Sequence, residues 1–162
     1  MSLRDPAATP LLVAALDHDD DGTRQLAARI LGESGDLNAA DALIAILDNP
    51  HDSIAREAAA ALGTLKAPNA ADVLTRTMQS RNPGVRTVAA WALGEIKAPG
   101  AVETLVEALH DGAGPVRSAA AKALGDIGDE RAVAALNKAL EDDFVDVKTI
   151  AAWALKQMRK KK

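Results

Sequence analysis

The strongest constraint on the fold of this chain is an internal repeat with a step of 31 residues. A Leu-Gly pair recurs at this spacing, and the last copy carries Leu-Lys instead. Two alanines lie four and five places before the second residue of every pair. We call the second position of the pair the anchor; its occupants are Gly32, Gly63, Gly94, Gly125 and Lys156. Self-similarity at a fixed period of about 20–50 residues is typical of solenoids and other repeat arrays.

Each repeat is predicted to contain two helices. The first half carries leucine at one recurring position with further apolar residues at helical spacing: Leu12, Leu43, Leu74, Leu105 and Leu136. Helix starts are indicated by Asp36 and Asp129 as N-caps, by Pro68 and Pro99 at the first helical position, and by Thr9-Pro10 in the opening unit. The second helices are expected to begin near Asp52-Ser53, at Asn82-Pro83 and at Gly114-Pro115, and to end at Leu65, Ile96 and Ile127.

These signals predict one all-α domain over residues 1–162, built from about ten helices in five units. The expected units are 1–34, 35–65, 66–96, 97–127 and 128–162. A single helix pair cannot bury its apolar side, so neighbouring units must stack.

The fourth unit identifies a known repeat class. Its sequence Val116-Arg117-x-x-Ala120-Ala121-x-Ala123-Leu124-Gly125-x-Ile127-Gly128-Asp129 resembles the short HEAT-like repeat named after phycobilisome lyases. The resemblance covers nearly the whole chain, although Lys66-Ala67-Pro68 and Lys97-Ala98-Pro99 replace Gly-Asp in the middle units. It implies a right-handed α-solenoid whose second helices line the concave surface, where partners dock.

A partner-binding surface is therefore expected on the solvent-directed, concave side of the second helices, where residues vary between units. Trp91 and Trp153 stand at solvent-directed positions there, and tryptophan is enriched among binding hot spots. The alternative is that Trp153 covers the C-terminal edge and Trp91 lies flat on its own helix. The predicted contact residues are Leu26, Arg29, Val88, Trp91, Glu95, Lys122, Ile150 and Trp153.

A basic residue recurs eight places before the anchor in four units: Arg24, Arg86, Arg117 and Lys148. We interpret this series as structural. The side-chain stems would pack between units, and the charged heads would bind carboxylates of the neighbouring unit or helix ends such as Asp36 and Asp129.

No catalytic, cofactor-binding or metal-binding residues are predicted. The chain has no cysteine, which excludes disulfides, thiolate zinc sites and cysteine nucleophiles. His18, His51 and His110 each precede an aspartate, but they occupy three different positions of the repeat and would not converge. Nucleic acid is not expected as a partner, since Arg29, Arg56 and Lys122 are offset by nearby acidic residues.

The favoured function is a non-enzymatic scaffold that docks a protein or peptide, with self-association left open. Alternatives are a phycobilin-lyase-like subunit or chaperone-like factor handling a linear tetrapyrrole, a detached regulatory segment of a larger enzyme, and an engineered array. Because residues 1–10 contain Asp5 and two prolines in place of an apolar leader, and no membrane-length apolar run occurs, a cytoplasmic location is expected.

Overall fold

The computed structural model describes residues 8–47 and 51–160, and within these ranges all regular structure is helical. Within the described residues, ten α-helices follow one another as five pairs, which confirms the predicted all-α array. The helices are α1 Thr9–Ala15, α2 Asp21–Ser34, α3 Ala40–Ala45, α4 Asp52–Leu65, α5 Ala71–Thr77, α6 Pro83–Ile96, α7 Val102–Ala108, α8 Gly114–Ile127, α9 Val133–Ala139 and α10 Val145–Lys160.

The two helices of a pair differ in length and in neighbours. The even-numbered helices have 14 or 16 residues, whereas the odd-numbered helices have six or seven. Each even helix packs extensively on the even helices before and after it, while each odd helix packs mainly on its own partner. The even helices are thus the more closely spaced layer, and a more closely spaced layer lies on the inner side of a curved stack.

Helix starts follow the predicted cap chemistry with one exception. Asp36 and Asp129 accept hydrogen bonds from the backbone N–H groups of Asn38 and Arg131, in the short 3-10 turns that lead into α3 and α9. The expected cap at Thr9 is wrong, because Thr9 is already the first residue of α1. Its hydroxyl instead donates to the Asp36 carboxylate at 2.6 Å and ties the first unit to the second.

Four of the long helices are followed by a residue with left-handed backbone geometry. This residue is glycine after α2 and α8 and lysine after α4 and α6. Gly35 and Gly128 have φ of 77° and 79°, and Lys66 and Lys97 follow α4 and α6 with φ of 52° and 57°. Glycine adopts this conformation without steric cost, whereas lysine adopts it under strain. The middle units therefore keep the same chain reversal despite the loss of Gly-Asp.

Successive even helices touch through the anchor glycines. A Cβ placed on Gly32 would lie 2.7 Å from Ala61 Cα, and one on Gly94 would lie 2.8 Å from Ala123 Cα. Gly63 and Gly125 meet Ala92 and Ala154 in the same way. A side chain at the anchor would therefore push neighbouring helices apart, so glycine is required for this close packing.

A second line of contact between units is made by the basic series. The Arg86 guanidinium donates two hydrogen bonds of 2.8 Å to the Asp111 carboxylate, and Arg117 binds Asp142 likewise at 2.7 and 2.9 Å. Asp111 and Asp142 belong to the following units, which confirms that these arginines link units.

The other expectations for the basic series need correction. Asp36 and Asp129 are not partners of this series. Asp36 accepts hydrogen bonds from Thr9 and Asn38, and Asp129 accepts one from Arg131. Arg24 pairs with Asp21 of its own helix, and Lys148 is exposed.

We predict that Gly94→Ala destabilises the protein by about 1–3 kcal/mol, because the added methyl group overpacks the contact with Ala123. Gly100→Ala is the matched control, since a Cβ there would meet no atom within 4 Å. Urea unfolding followed by helical circular dichroism measures both values. Equal stability of the two variants would contradict the proposed role of the anchor.

We also predict that Asp111→Asn lowers the free energy of unfolding at pH 7 by about 1–3 kcal/mol. Hydrogen bonds from Arg86 hold the pKa of the Asp111 carboxyl below its ordinary value of 3.8. A lowered folded-state pKa contributes stability that is complete above the unfolded-state value and is lost as pH falls through the folded-state value. The difference between the native protein and the variant should thus shrink below about pH 4. Asp17→Asn removes the same charge at an exposed aspartate and is the matched control for stability at pH 7.

Candidate partner-binding groove

An apolar groove runs along α8 between α6 and α10. Two adjoining cavities of about 350 and 450 Å³ share Ser118 and Ile150 and together form it. We call it the α8 groove, and its lining residues are Ala60, Thr87, Val88, Trp91, Gly114, Pro115, Ser118, Ala119, Lys122, Phe144, Asp146, Thr149 and Ile150.

The groove arises because equivalent positions of successive units carry side chains of different size. Six places before the anchor, α6 and α10 carry Val88 and Ile150, whereas α8 carries Ala119. Gly114, Ser118 and Ala119 are small residues on the groove side of α8, and the Phe144 ring lies over Gly114, so Ser118 and Ala119 form a low floor. The flanking apolar side chains form the two walls.

Both tryptophans lean onto the anchor glycine of the preceding unit. The Trp91 ring reaches 2.6 Å from the place where a Cβ on Gly63 would stand, and the Trp153 ring reaches 2.9 Å from the corresponding place on Gly125. Trp91 is half-buried as a result, which is more than its solvent-directed position predicts, while Trp153 keeps 36% exposure. The missing side chain of each anchor thus creates room for an indole ring in the next unit.

Charged groups mark one end of the groove. Lys122 Nζ lies 2.6 Å from the Asp126 carboxylate and 3.8 Å from that of Glu95, and 5.8 Å from the centre of the Trp153 ring. These contacts bring predicted residues from α6, α8 and α10 together. They also hold the lysine ammonium beside two carboxylates, so this end has mixed charge.

The structure gathers six of the eight predicted contact residues and separates two. Val88, Trp91, Lys122 and Ile150 line the groove, and Glu95 and Trp153 contact Lys122 at its end. Leu26 and Arg29 are exposed on α2, and α4 intervenes between that helix and α6. Spacing within a unit could not show this, since it places all eight on equivalent faces.

Phe144 is the main lining residue that the sequence analysis missed. It precedes α10, is 54% exposed, and its ring covers the Arg117 guanidinium at 5.1 Å. The signal that could have found it is composition, because the chain has one phenylalanine, two tryptophans and no tyrosine. All three aromatic side chains therefore lie on or beside the α8 groove.

Metal binding and membrane spanning can both be assessed from the described residues. No group of three histidine, cysteine or acidic side chains in residues 8–47 and 51–160 is arranged to hold a metal ion. His18 Nδ1 accepts a hydrogen bond from the backbone N–H of Asp20, and His51 Nδ1 lies 3.0 Å from the Asp21 carboxylate. Across the same residues, no helix combines the length and apolar character that crossing a bilayer requires.

Comparison with known families gives one match that spans most of the sequence. The family model for HEAT repeats matches residues 2–63, 41–116 and 71–156 in overlapping segments. No curated protein sequence matches the chain at a significant level.

Several solved structures share the fold. A chain from the complex of CpcE and CpcF of phycocyanin lyase from Nostoc sp. PCC7120 is 28% identical with a TM-score of 0.86, and the match covers 94% of this chain and 65% of that one. An engineered protein is 27% identical with a TM-score of 0.74, covering 93% and 78% of the two chains. A designed armadillo repeat protein solved with the peptide (KR)4 is 20% identical with a TM-score of 0.74, covering 94% and 82%, and this likeness concerns the fold alone.

The placement of the two indoles predicts different access to solvent. Trp91→Phe leaves Trp153 as the sole tryptophan, and Trp153→Phe leaves Trp91. We expect acrylamide to quench the emission of the first variant more strongly, because Trp153 is the more exposed ring. Stronger quenching of Trp91 would contradict its packing on Gly63, provided that both variants keep native helical content.

Proposed function

Because the chain belongs to the HEAT-repeat family, we propose that it is a non-enzymatic scaffold that docks a partner polypeptide in the α8 groove. The observation that carries this proposal is the position of the aromatic residues. In a chain with only three, Trp91 and Phe144 line the groove and Trp153 lies beside it.

Folding alone does not account for this arrangement. Phe144 and Trp153 remain 54% and 36% exposed, although alanine and leucine fill the core elsewhere. An exposed apolar surface with rigid aromatic side chains is characteristic of protein-binding sites, where such residues supply contact area at low entropic cost. Leu26 and Arg29, on the same layer of helices, would extend the contact of a longer partner.

A second candidate function is that of a subunit in a phycocyanin-lyase-like enzyme. The likeness to the lyase chain supports it, since the TM-score is 0.86 at 28% identity. This chain spans 65% of that chain, so the match leaves part of the larger protein unaccounted for. Mixing the protein with a linear tetrapyrrole tests this candidate, because specific binding would shift the visible absorption band of the pigment.

The docking proposal predicts that blocking the floor of the groove abolishes partner binding. Ala119→Glu places a charged side chain there without removing a core residue. Leu11→Glu is the matched control, because it adds the same charge at a 69% exposed position on α1. Affinity capture from an extract of the source cells should retain a partner on the native chain and the control, and at least about tenfold less on Ala119→Glu. A partner held equally by all three proteins would place the binding surface outside the groove.

A further inference from the structure

The shape of the α8 groove restricts the backbone conformation of its occupant. The open floor consists of small residues on one helix, Ser118 and Ala119, while the Phe144 ring covers Gly114 at one end. The walls are side chains of the two flanking helices. The groove is therefore elongated parallel to α8. From Gly114 to Lys122 it extends about 12 Å, at about 1.5 Å per helical residue.

The wall hydroxyls already donate their protons within their own helices. The Thr87 hydroxyl donates to the Pro83 carbonyl at 2.8 Å, and the Thr149 hydroxyl donates to the Val145 carbonyl at 2.9 Å. The neighbouring wall residues Val88 and Ile150 present only carbon atoms. An extended peptide would bring backbone C=O groups against walls whose hydroxyls have no proton left to donate, which costs free energy when those groups lose water.

An α-helix does not incur this cost, because its backbone groups bond to one another. Small residues on the floor also favour a helix, since they allow close approach of two helix axes. The same protein already uses small residues in this way, where Gly94 on α6 meets Ala123 on α8. A helix laid along α8 would place apolar side chains against Val88 on one wall and Ile150 on the other.

The charges near the groove indicate what flanks the apolar face of the occupant. Glu95 and Asp126 lie beside Lys122 at one end, and Asp146 lines the other end. Apart from the Arg117–Asp142 pair beside the Phe144 ring, whose charges balance, three carboxylates thus accompany one ammonium group. A partner with basic residues at both ends of its apolar stripe complements this pattern.

We propose that the occupant of the α8 groove is an amphipathic helix of a partner polypeptide, with an apolar face about two turns long and basic residues flanking it. This inference rests on the docking function proposed above and adds the conformation and charge of the docked segment. Its apolar residues recur at intervals of three and four and contact Val88, Trp91 and Ile150. Its basic residues lie near Glu95 and Asp146.

Selection from a library of random peptides tests the inference directly. Peptides about 16 residues long, enough for roughly four helical turns, are selected on the native protein. Peptides that also bind Ala119→Glu are then removed by counter-selection. We expect the remaining sequences to carry apolar residues at helical spacing with lysine or arginine at both ends. Binding should weaken at least about tenfold when a central proline is introduced, because proline breaks a helix.

The outcomes separate this inference from the docking proposal. Groove-dependent peptides with alternating or irregular apolar spacing, or ones that tolerate the central proline, would overturn the helical occupant while supporting docking. Helical peptides without basic ends, or with acidic ones, would overturn the charge assignment. If no selected peptide depends on Ala119, both the inference and the docking function are contradicted. Leu11→Glu should bind the selected peptides as the native protein does, which shows that added charge alone is not responsible.

Discussion

The contact between a glycine on one long helix and an alanine on the next sets the geometry of this protein. Four such contacts join the five long helices, and each brings backbone against backbone at a distance that no side chain at the glycine would allow. The close spacing of the long helices depends on these contacts. The same glycines make room for two indole rings, because Trp91 packs in the space beside Gly63 and Trp153 packs in the space beside Gly125.

A second, polar line of contact fixes how the helices are oriented. Arg86 and Arg117 stand near the starts of α6 and α8, far from the anchors, and each binds an aspartate of the following unit with two hydrogen bonds. A bidentate arginine–carboxylate pair constrains direction as well as distance. At the two junctions that have such a pair, between the third, fourth and fifth units, two separated contacts prevent the units from pivoting about a single point. The part of the long-helix surface that carries the α8 groove is therefore held in one shape.

The candidate site depends on how the units differ within this regular frame. At the positions that form the groove, the third and fifth units carry valine, isoleucine and tryptophan, whereas the fourth carries serine, alanine and lysine. The resulting trough has a helical floor and apolar walls whose threonine hydroxyls are already bonded. Such a surface fits a partner that has satisfied its own backbone, which is why a helix suits it better than an extended strand.

The sequence by itself determined the repeat, the helix pairs, the ends of the long helices and the chemical class of the inter-unit contacts. The repeat follows from the 31-residue period, and the helices and their ends follow from helical spacing and cap residues, which act over a few neighbouring residues. Only the tertiary structure decided which residues meet across units. The tertiary structure pairs Arg86 with Asp111 rather than with a helix cap, and it leaves Trp91 half-buried. It also brings Phe144 to the groove and keeps Leu26 on a separate helix. A repeat pattern assigns equivalent positions to equivalent faces, but the size of each side chain and of its neighbour one unit away determines which of those positions lie together in a groove.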